Sequence, residues 1–420
     1  MNRRRRVVLG LVFVGIVISY IDRGNLSIAA AHMMDDFQFP PKIMGMLLSA
    51  FFWTYAGFQI PSGALVDRLG IRRVYAAAFI LWSLASASIG LAGGFASILV
   101  LRLLLGMAES IGPLASLSFI RQNYSGREQG LPTAIYIAGQ NLGPALGALV
   151  GTILIDKLGW RFMFIATGLG ALLWLPFWLW LAPKDKPKAQ RAMETAEAPP
   201  QHPVQWKELF ATPAFWAMSC CIFLSSYYWY FVLTWVPTYL TSARGFTTLE
   251  MGKVLSAPLF AMALVCVAGG YAADRVAKRT GNVFRTRILF ASVAFVTSSL
   301  ILLLLILPDK AAVFPILTIS MCATGIGNTN YWAISQHAPP KYMVGRTIGF
   351  LNTISQIAGA AAPLITGFIL GPQKQFGVAM IVAGVCPIFA SALLLFAGSN
   401  GLERIKTILA GSPDRALLVD

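Results

Sequence analysis

Apolar residues in this chain come in long unbroken runs rather than in amphipathic stripes. Such runs lie near 7–31, 43–66, 74–93, 95–119, 130–153 and 161–182, and again near 213–240, 251–273, 286–307, 312–336, 347–370 and 376–398. Each is close to the roughly 20 residues that a helix needs to cross the hydrocarbon core of a bilayer. A backbone in lipid must satisfy its own hydrogen bonds, which leaves helices as the reading of such runs. The pattern predicts an all-α integral membrane protein with twelve transmembrane helices in two pseudo-symmetric bundles of six. Between the two sets lies Pro183 to Thr212, rich in Lys, Pro, Ala and Glu and carrying Lys184, Lys186, Lys188 and Arg191. A segment of that composition cannot bury a core. The expected organisation is therefore an N-terminal bundle at 1–182, a cytoplasmic linker at 183–212, a C-terminal bundle at 213–400 and a cytoplasmic tail at 401–420.

Composition sharpens this picture. Of 420 residues, 57% are hydrophobic and only 12% charged, against roughly 25% charged in soluble domains. The net charge of +16 would suit nucleic acid if the basic residues formed a patch in a polar domain. Instead most of the Lys and Arg fall on one side of the predicted membrane, as the positive-inside rule requires. Both termini are expected in the cytoplasm, and nucleic acid is not expected as a partner. Arg3 to Arg6 before an apolar run resembles a signal peptide, but the run continues too far and no small-residue cleavage motif precedes Asp22. Cys220, Cys221, Cys266, Cys322 and Cys386 sit in apolar stretches without metal spacing, and His32, His202 and His337 are scattered. No metal site, disulfide or cofactor is expected, and the chain is read as a monomer in the bilayer.

The two halves repeat. The loop after the second span reads Gly63-Ala-Leu-Val-Asp67-Arg68-Leu-Gly70-Ile-Arg72-Arg73, and the loop after the eighth reads Gly270-Tyr-Ala-Ala-Asp274-Arg275. The two lie about half a chain apart, as repeats related by an axis along the membrane normal require. Positive-inside anchoring accounts for the basic residues but not for the matching Asp. An Asp at a helix end followed by Arg can pair with neighbouring helix termini and hold a bundle in one state, so Gly63, Asp67, Arg68, Gly70, Arg72, Arg73, Asp274 and Arg275 are read as a gating loop.

Four fully charged residues fall deep within spans: Asp22, Arg23, Arg102 and Glu109. A charge at the bilayer centre costs about 2.5–3.5 kcal/mol on insertion scales, so each needs a partner or a function. At about 1.5 Å per residue, Asp22 lies roughly 22 Å into the first span, and Arg102 roughly 10 Å from the opposite end of the fourth. The two reach similar depth, and Glu109 follows Arg102 on the same face nearly two turns on. Two readings stay open. Asp22 and Arg102 form a fixed ion pair that holds the first bundle together, or Asp22 and Glu109 bind protons in turn. A carboxyl balanced between burial, which favours the acid, and an adjacent Arg, which favours the carboxylate, can take and release a proton. Arg23 points about 100° away from Asp22 around the helix, where a guanidinium facing a central cavity would clamp a carboxylate by two parallel bonds.

Neutral polar residues complete a candidate cavity. Tyr20, Tyr55 and Gln140 come from the first, second and fifth spans. Asn328, Asn330, Trp332, Asn352 and Gln356 come from the tenth and eleventh. Amides in lipid are costly unless they bond another helix or line water, and as a group these suit an anion with many hydroxyls.

The Gly-x-x-x-Asp-Arg-x-Gly-x-Arg-Arg loop resembles the signature loop of the major facilitator superfamily, and Gly139-x-x-x-Gly143-Pro144-x-x-Gly147 resembles a second motif of that superfamily. Tyr20-Ile21-Asp22-Arg23-Gly24-Asn25-Leu26, with Arg102-x-x-x-Gly106-x-x-Glu109, resembles its anion:cation symporter family. That family includes bacterial carriers of D-galactonate, glucarate, hexuronates and phthalate, and sialin-like carriers. Phe231 to Leu240 and Gly139-Gln140 look like the D-galactonate carriers. The resemblance implies proton-coupled symport of an organic anion such as an aldonate, aldarate or hexuronate into the cytoplasm of a bacterium, across its inner membrane. Asp22 and Glu109 would couple protons and Arg23 would meet the anion. The resemblance aligns Gln140 and Asn352 best with sugar-binding positions and leaves Tyr331 and Trp332 as alternatives in the tenth span. Uptake of an aromatic carboxylate, and efflux or facilitation without protons, remain the alternatives. An enzyme is not expected, since no nucleophile–base pair or metal set lies at mid-membrane.

Overall fold

The computed structural model describes residues 3–124, 129–183, 206–339, 343–371 and 375–399. Most of the predicted linker, 184–205, and the whole predicted tail lie outside these residues, as do Lys184, Lys186, Lys188, Arg191 and His202. Every regular element among the described residues is helical. The first group is α1 (Arg3–Phe37), α2 (Pro41–Leu69), α3 (Ile71–Ile89), α4 (Phe95–Glu109), α5 (Ile111–Asn123), α6 (Gly130–Ala171) and α7 (Trp174–Leu181). The second is α8 (Trp206–Phe210), α9 (Pro213–Ser242), α10 (Thr248–Thr280), α11 (Val283–Ser298, continued by a tighter helical stretch Ser299–Leu305), α12 (Lys310–His337), α13 (Val344–Leu370) and α14 (Phe376–Ser399).

Ten of the described helical segments are long and apolar enough to cross a bilayer. One of them, Leu131–Leu181, has 51 residues, too many for one crossing. It breaks at Gly159, where φ is 82°, a left-handed conformation that glycine adopts without steric cost. It therefore contains two of the predicted runs, 130–153 and 161–182. The run predicted at 74–93 is the 19-residue α3. All twelve predicted runs are thus helical, and the chain is a multi-pass membrane protein.

The described residues divide into two compact units. One takes its members from Met1–Glu197, Tyr230–Phe260 and Gly359–Ala379, the other from Ala198–Trp229, Ala261–Ala358 and Met380–Asp420. In the first unit small residues let backbones approach. Gly139, Gly143 and Gly147 run along one face of α6 and meet α1. A Cβ at Gly143 would lie 2.9 Å from the Val17 carbonyl oxygen and overlap the Tyr20 side chain, and one at Gly147 would lie 3.3 Å from the Ile21 Cα. Gly106 brings α4 against α2, where a Cβ would overlap the Phe51 carbonyl oxygen. Thr54 on α2 closes that contact by donating to the Leu103 carbonyl at 2.8 Å. In lipid such close packing replaces the hydrophobic drive between helices. Farther along α2, Gly45 faces Gly367 of α13, and the Ser49 hydroxyl donates to the Ala360 carbonyl at 2.8 Å.

The first repeated loop is tied to α7 through Arg72. Gly70 joins α2 to α3 with φ of 94°. The Trp178 indole donates to the Arg72 carbonyl at 3.1 Å, and the Arg72 guanidinium donates to the Leu179 carbonyl. Asp67 is exposed and forms no ion pair among the described residues. In the second unit the counterpart differs. Asp274 pairs with Arg287 of α11 at 2.5 Å, and Arg287 also reaches Asn330 of α12 at 3.5 Å. The five cysteines are free; Cys220 is exposed on its helix rather than packed in a core.

The packing predicts a graded response to a methyl-branched side chain. Gly143→Val and Gly106→Val lower the thermal midpoint of the detergent-solubilised protein, since overpacking costs about 1–3 kcal/mol and here the obstacle is backbone. Gly57→Ala, at a position with open space, leaves the midpoint near that of the unsubstituted protein. Equal melting of all three variants would show that α1, α2, α4 and α6 do not approach as described.

Candidate functional site

The site is built on α1, where Ser19, Tyr20, Asp22, Arg23 and Asn25 interrupt an apolar helix. The glycine face of α6 fixes this stretch from behind. Successive residues of a helix point about 100° apart, so Asp22 and Arg23 turn to different neighbours and form two separate polar clusters.

In the first cluster the Arg23 Nε donates to Glu109 Oε2 at 2.7 Å, and the Ser19 hydroxyl donates to the same oxygen at 2.8 Å. Ser19 and Arg23 are one turn apart on α1, and so share a face. Glu109 is fully buried, whereas the Arg23 side chain keeps 12% of its surface exposed. The guanidinium lies over three rings, 4.5 Å from that of Tyr20, 4.4 Å from Tyr55 and 5.1 Å from Phe51. Phe51 and Tyr55 stack on each other at 5.3 Å. Cation–π contact of this kind orients the guanidinium plane at modest cost in desolvation. The Arg23 Nη2 and the Glu109 Oε1 are buried and have no hydrogen-bond partner.

In the second cluster Asp22 faces α3 and α6. Its Oδ1 accepts from the Ser86 hydroxyl at 2.9 Å and from the Asn25 amide at 3.4 Å, and the same amide nitrogen reaches Thr167 Oγ1 at 3.0 Å. Asp22 Oδ2 has no partner. Every group bonded to this carboxyl is neutral.

These positions correct the pairing expected from helical depth. Asp22 and Arg102 make no ion pair, because the α1 face that carries Asp22 turns toward α3 and α6. Arg102 instead donates from Nε to the Leu47 carbonyl at 3.3 Å, with its guanidinium 5.2 Å from the Phe51 ring. Arg23, expected to point away from Asp22 and toward a cavity, is the group that pairs with Glu109. Depth set which residues could meet; rotation about the helix axis decided which did.

Of the other expected residues, the Gln140 amide donates to the Tyr136 hydroxyl at 2.9 Å on α6. Those of the tenth and eleventh spans all belong to the second unit. There Asn330 is buried and donates to the Ile326 carbonyl at 3.0 Å, besides its contact with Arg287. Tyr331 is buried and its hydroxyl donates to the Met218 carbonyl at 2.9 Å, while Trp332 is half-buried beside it with rings 5.6 Å apart. Asn328 and Asn352 are half-buried and Gln356 is buried. Ser19, Asn25, Phe51, Ser86, Tyr136 and Thr167 were missed by sequence reasoning. Ser19 and Asn25 carried a signal, since each is one turn from a charged residue in an otherwise apolar run; the others lie on distant helices and carried none.

Comparison with known proteins follows the same lines. Residues 12–363 match the family described as the Major Facilitator Superfamily. The chain is 30% identical to the hexuronate transporter of Bacillus subtilis (strain 168) over 400 residues, 93% of each protein. It is 26% identical to the D-galactonate transporter of Escherichia coli O6:H1, over 94% of this chain and 96% of that one. A crystal structure of a bacterial homologue of the human lysosomal transporter Spinster, in an inward-facing and occupied conformation, superposes with a TM-score of 0.78 at 18% identity, covering 96% of this chain and 98% of that one.

The geometry predicts a specific pattern of energetic coupling. Arg23→Met and Glu109→Leu each destabilise the folded protein by about 3–5 kcal/mol, because each strands a buried charge. The double variant recovers most of that loss. Asp22→Asn and Arg102→Met show a much smaller coupling, since the two groups act on each other through space but share no bond. Unfolding in detergent measures both cycles, and a large coupling between Asp22 and Arg102 would restore the pairing expected from depth alone.

Proposed function

Because the chain belongs to the Major Facilitator Superfamily, whose members are membrane transporters and not enzymes, we propose that it carries a small organic anion, a sugar acid, into the cytoplasm together with protons. The anion class is supported by relatives named for hexuronate, D-galactonate and galactarate/D-glucarate transport. The proton reading rests on one observation: the Arg23–Glu109 pair at 2.7 Å, with an unpaired guanidinium nitrogen beside it. The setting proposed is a bacterial inner membrane with both termini in the cytoplasm.

The mechanism follows from charge balance. Arg23 and Glu109 together are neutral, so the pair costs little to hold in the membrane. A substrate carboxylate that takes the guanidinium away from Glu109 leaves that carboxylate uncompensated in an apolar site, which costs several kcal/mol. A proton on Glu109 removes the cost. Arg23 with the anion, and Glu109 with its proton, are again neutral, so anion and proton favour each other's binding. This reciprocity is thermodynamic linkage between two sites. Asp22, bonded only to neutral groups, is the second proton site of this reading. In this reading Tyr20, Tyr55 and Gln140 of the first unit would meet substrate hydroxyls. The gating loop at Asp67 and Arg68 would restrain one end of the transport cycle, with the Asp274–Arg287 pair as its counterpart.

Uptake of radiolabelled D-galactonate or D-glucuronate into proteoliposomes tests the proposal. An inward proton gradient accelerates uptake, and a protonophore abolishes accumulation. Glu109→Gln, a mimic of the protonated acid, exchanges labelled for unlabelled anion but fails to accumulate it. Arg23→Ala binds neither anion. Accumulation by Glu109→Gln at the rate of the unsubstituted protein would falsify the coupling role, and uptake indifferent to the gradient would leave facilitated transport.

A further inference from the structure

We infer that Ser19 is a positioning residue for proton binding, one that holds Glu109 in register while Arg23 changes partner; the inference rests on the exchange just described. Glu109 uses its two oxygens unequally. Oε2 receives both donors, Arg23 at 2.7 Å and Ser19 at 2.8 Å, while Oε1 is buried and receives none. Both donors sit on one face of α1, a turn apart. When the guanidinium moves to a substrate carboxylate, Ser19 is the remaining bond to Oε2. A proton given up by a hydronium ion of the aqueous phase, which becomes water, then binds at Oε1 and forms an O–H bond there, while the Arg23 hydrogen bond to Oε2 passes to the anion. No bond within the protein's covalent frame breaks, and the net charge of Arg23, Glu109 and anion together is zero, as it was for the pair alone.

Ser19 favours one protonation state over the other. A hydroxyl donates more strongly to a carboxylate than to the carbonyl oxygen of a neutral acid, since charge-assisted hydrogen bonds are roughly twice as strong. Ser19 therefore opposes protonation of Glu109 and sets the pH at which it occurs. The other ionisable groups that act on Glu109 are Tyr20, Asp22 and Arg23 on α1, Tyr75 on α3, and Arg102 on its own helix. None of these is altered when the Ser19 hydroxyl is removed, so the substitution isolates one bond. Ser19 is itself 1% exposed and neutral, which is why charge alone did not mark it.

Infrared difference spectroscopy of the purified full-length protein tests this without any substrate. The protonated carboxyl band of Glu109 is identified by its loss in Glu109→Gln, and its amplitude is followed against pH. Ser19→Ala moves the midpoint of that band upward by about one pH unit, the size expected for one hydrogen bond that distinguishes charged from neutral acid. A midpoint unchanged or lowered in Ser19→Ala overturns the inference, and so does a Glu109 that gives no titrating band. The reading of transport stands or falls separately, on accumulation by Glu109→Gln. If that variant cannot accumulate anion yet Ser19→Ala titrates like the unsubstituted protein, coupling survives and the role of Ser19 does not.

Discussion

A charge carried into the hydrocarbon of a membrane has to be answered there, and in this protein the answer is the contact between Arg23 and Glu109 at 2.7 Å. The rest of the first unit can be understood as what that contact requires. Arg23 and Glu109 come from helices that must lie close and at the correct rotation. The glycines of α6 let α1 sit against it, and Gly106 lets α4 sit against α2. Tyr20, Phe51 and Tyr55 surround the guanidinium with ring faces, which lowers the cost of leaving one nitrogen unbonded. A fixed structural ion pair would be expected to satisfy all its donors and acceptors. This one leaves Arg23 Nη2 and Glu109 Oε1 open, which suits a pair that separates and reforms.

The two repeats have diverged at the point where chemistry enters. When the Asp67 and Asp274 loops are aligned along the sequence, Asp22 of the first span falls beside Tyr228 of the seventh. Asp22 accepts from Ser86 of the third span. Tyr228 bonds Ser320 at 2.5 Å, and Ser320 donates to the Ser298 carbonyl in the ninth. A polar group at this level of the first-type helix recurs, but it is a carboxyl bonded to the third span in one repeat and a phenol that reaches the ninth span only through Ser320 of the tenth in the other. The hydroxyl contacts of the second unit serve as interhelical glue. The repeated loop shows the reverse asymmetry: both aspartates are exposed, but Asp274 pairs with Arg287 while Asp67 forms no ion pair among the described residues.

Both carboxyls lie in one unit, and in the proposed mechanism they would have separate tasks. There Glu109 would share its partner with an incoming anion, so that its protonation would be tied to binding. Asp22 is bonded to the Ser86 hydroxyl on α3 and to the Asn25 amide of its own helix, which also reaches Thr167 on α6, so its protonation would alter how α1 is held rather than what Arg23 can reach. Adjacent residues on one helix thereby address different neighbours, a direct consequence of the 100° step between them.

The sequence by itself determined the architecture. Twelve apolar runs, a positive-inside bias and a repeated Gly-x-x-x-Asp-Arg loop left a helical membrane protein as the one economical reading, because the bilayer permits so few backbone solutions. It also marked the four buried charges, since in lipid any charge stands out against its neighbours. Tertiary structure decided the partnership. Depth along a helix follows from counting residues, and so Asp22 and Arg102 looked well matched. The facing of a side chain depends on how helices rotate and tilt against each other, which small residues such as Gly106 and Gly143 control through contacts with distant segments. Ser86 on Asp22, Thr167 on Asn25, and Arg23 on Glu109 are contacts between helices many residues apart, for which a single chain of letters carries no local sign.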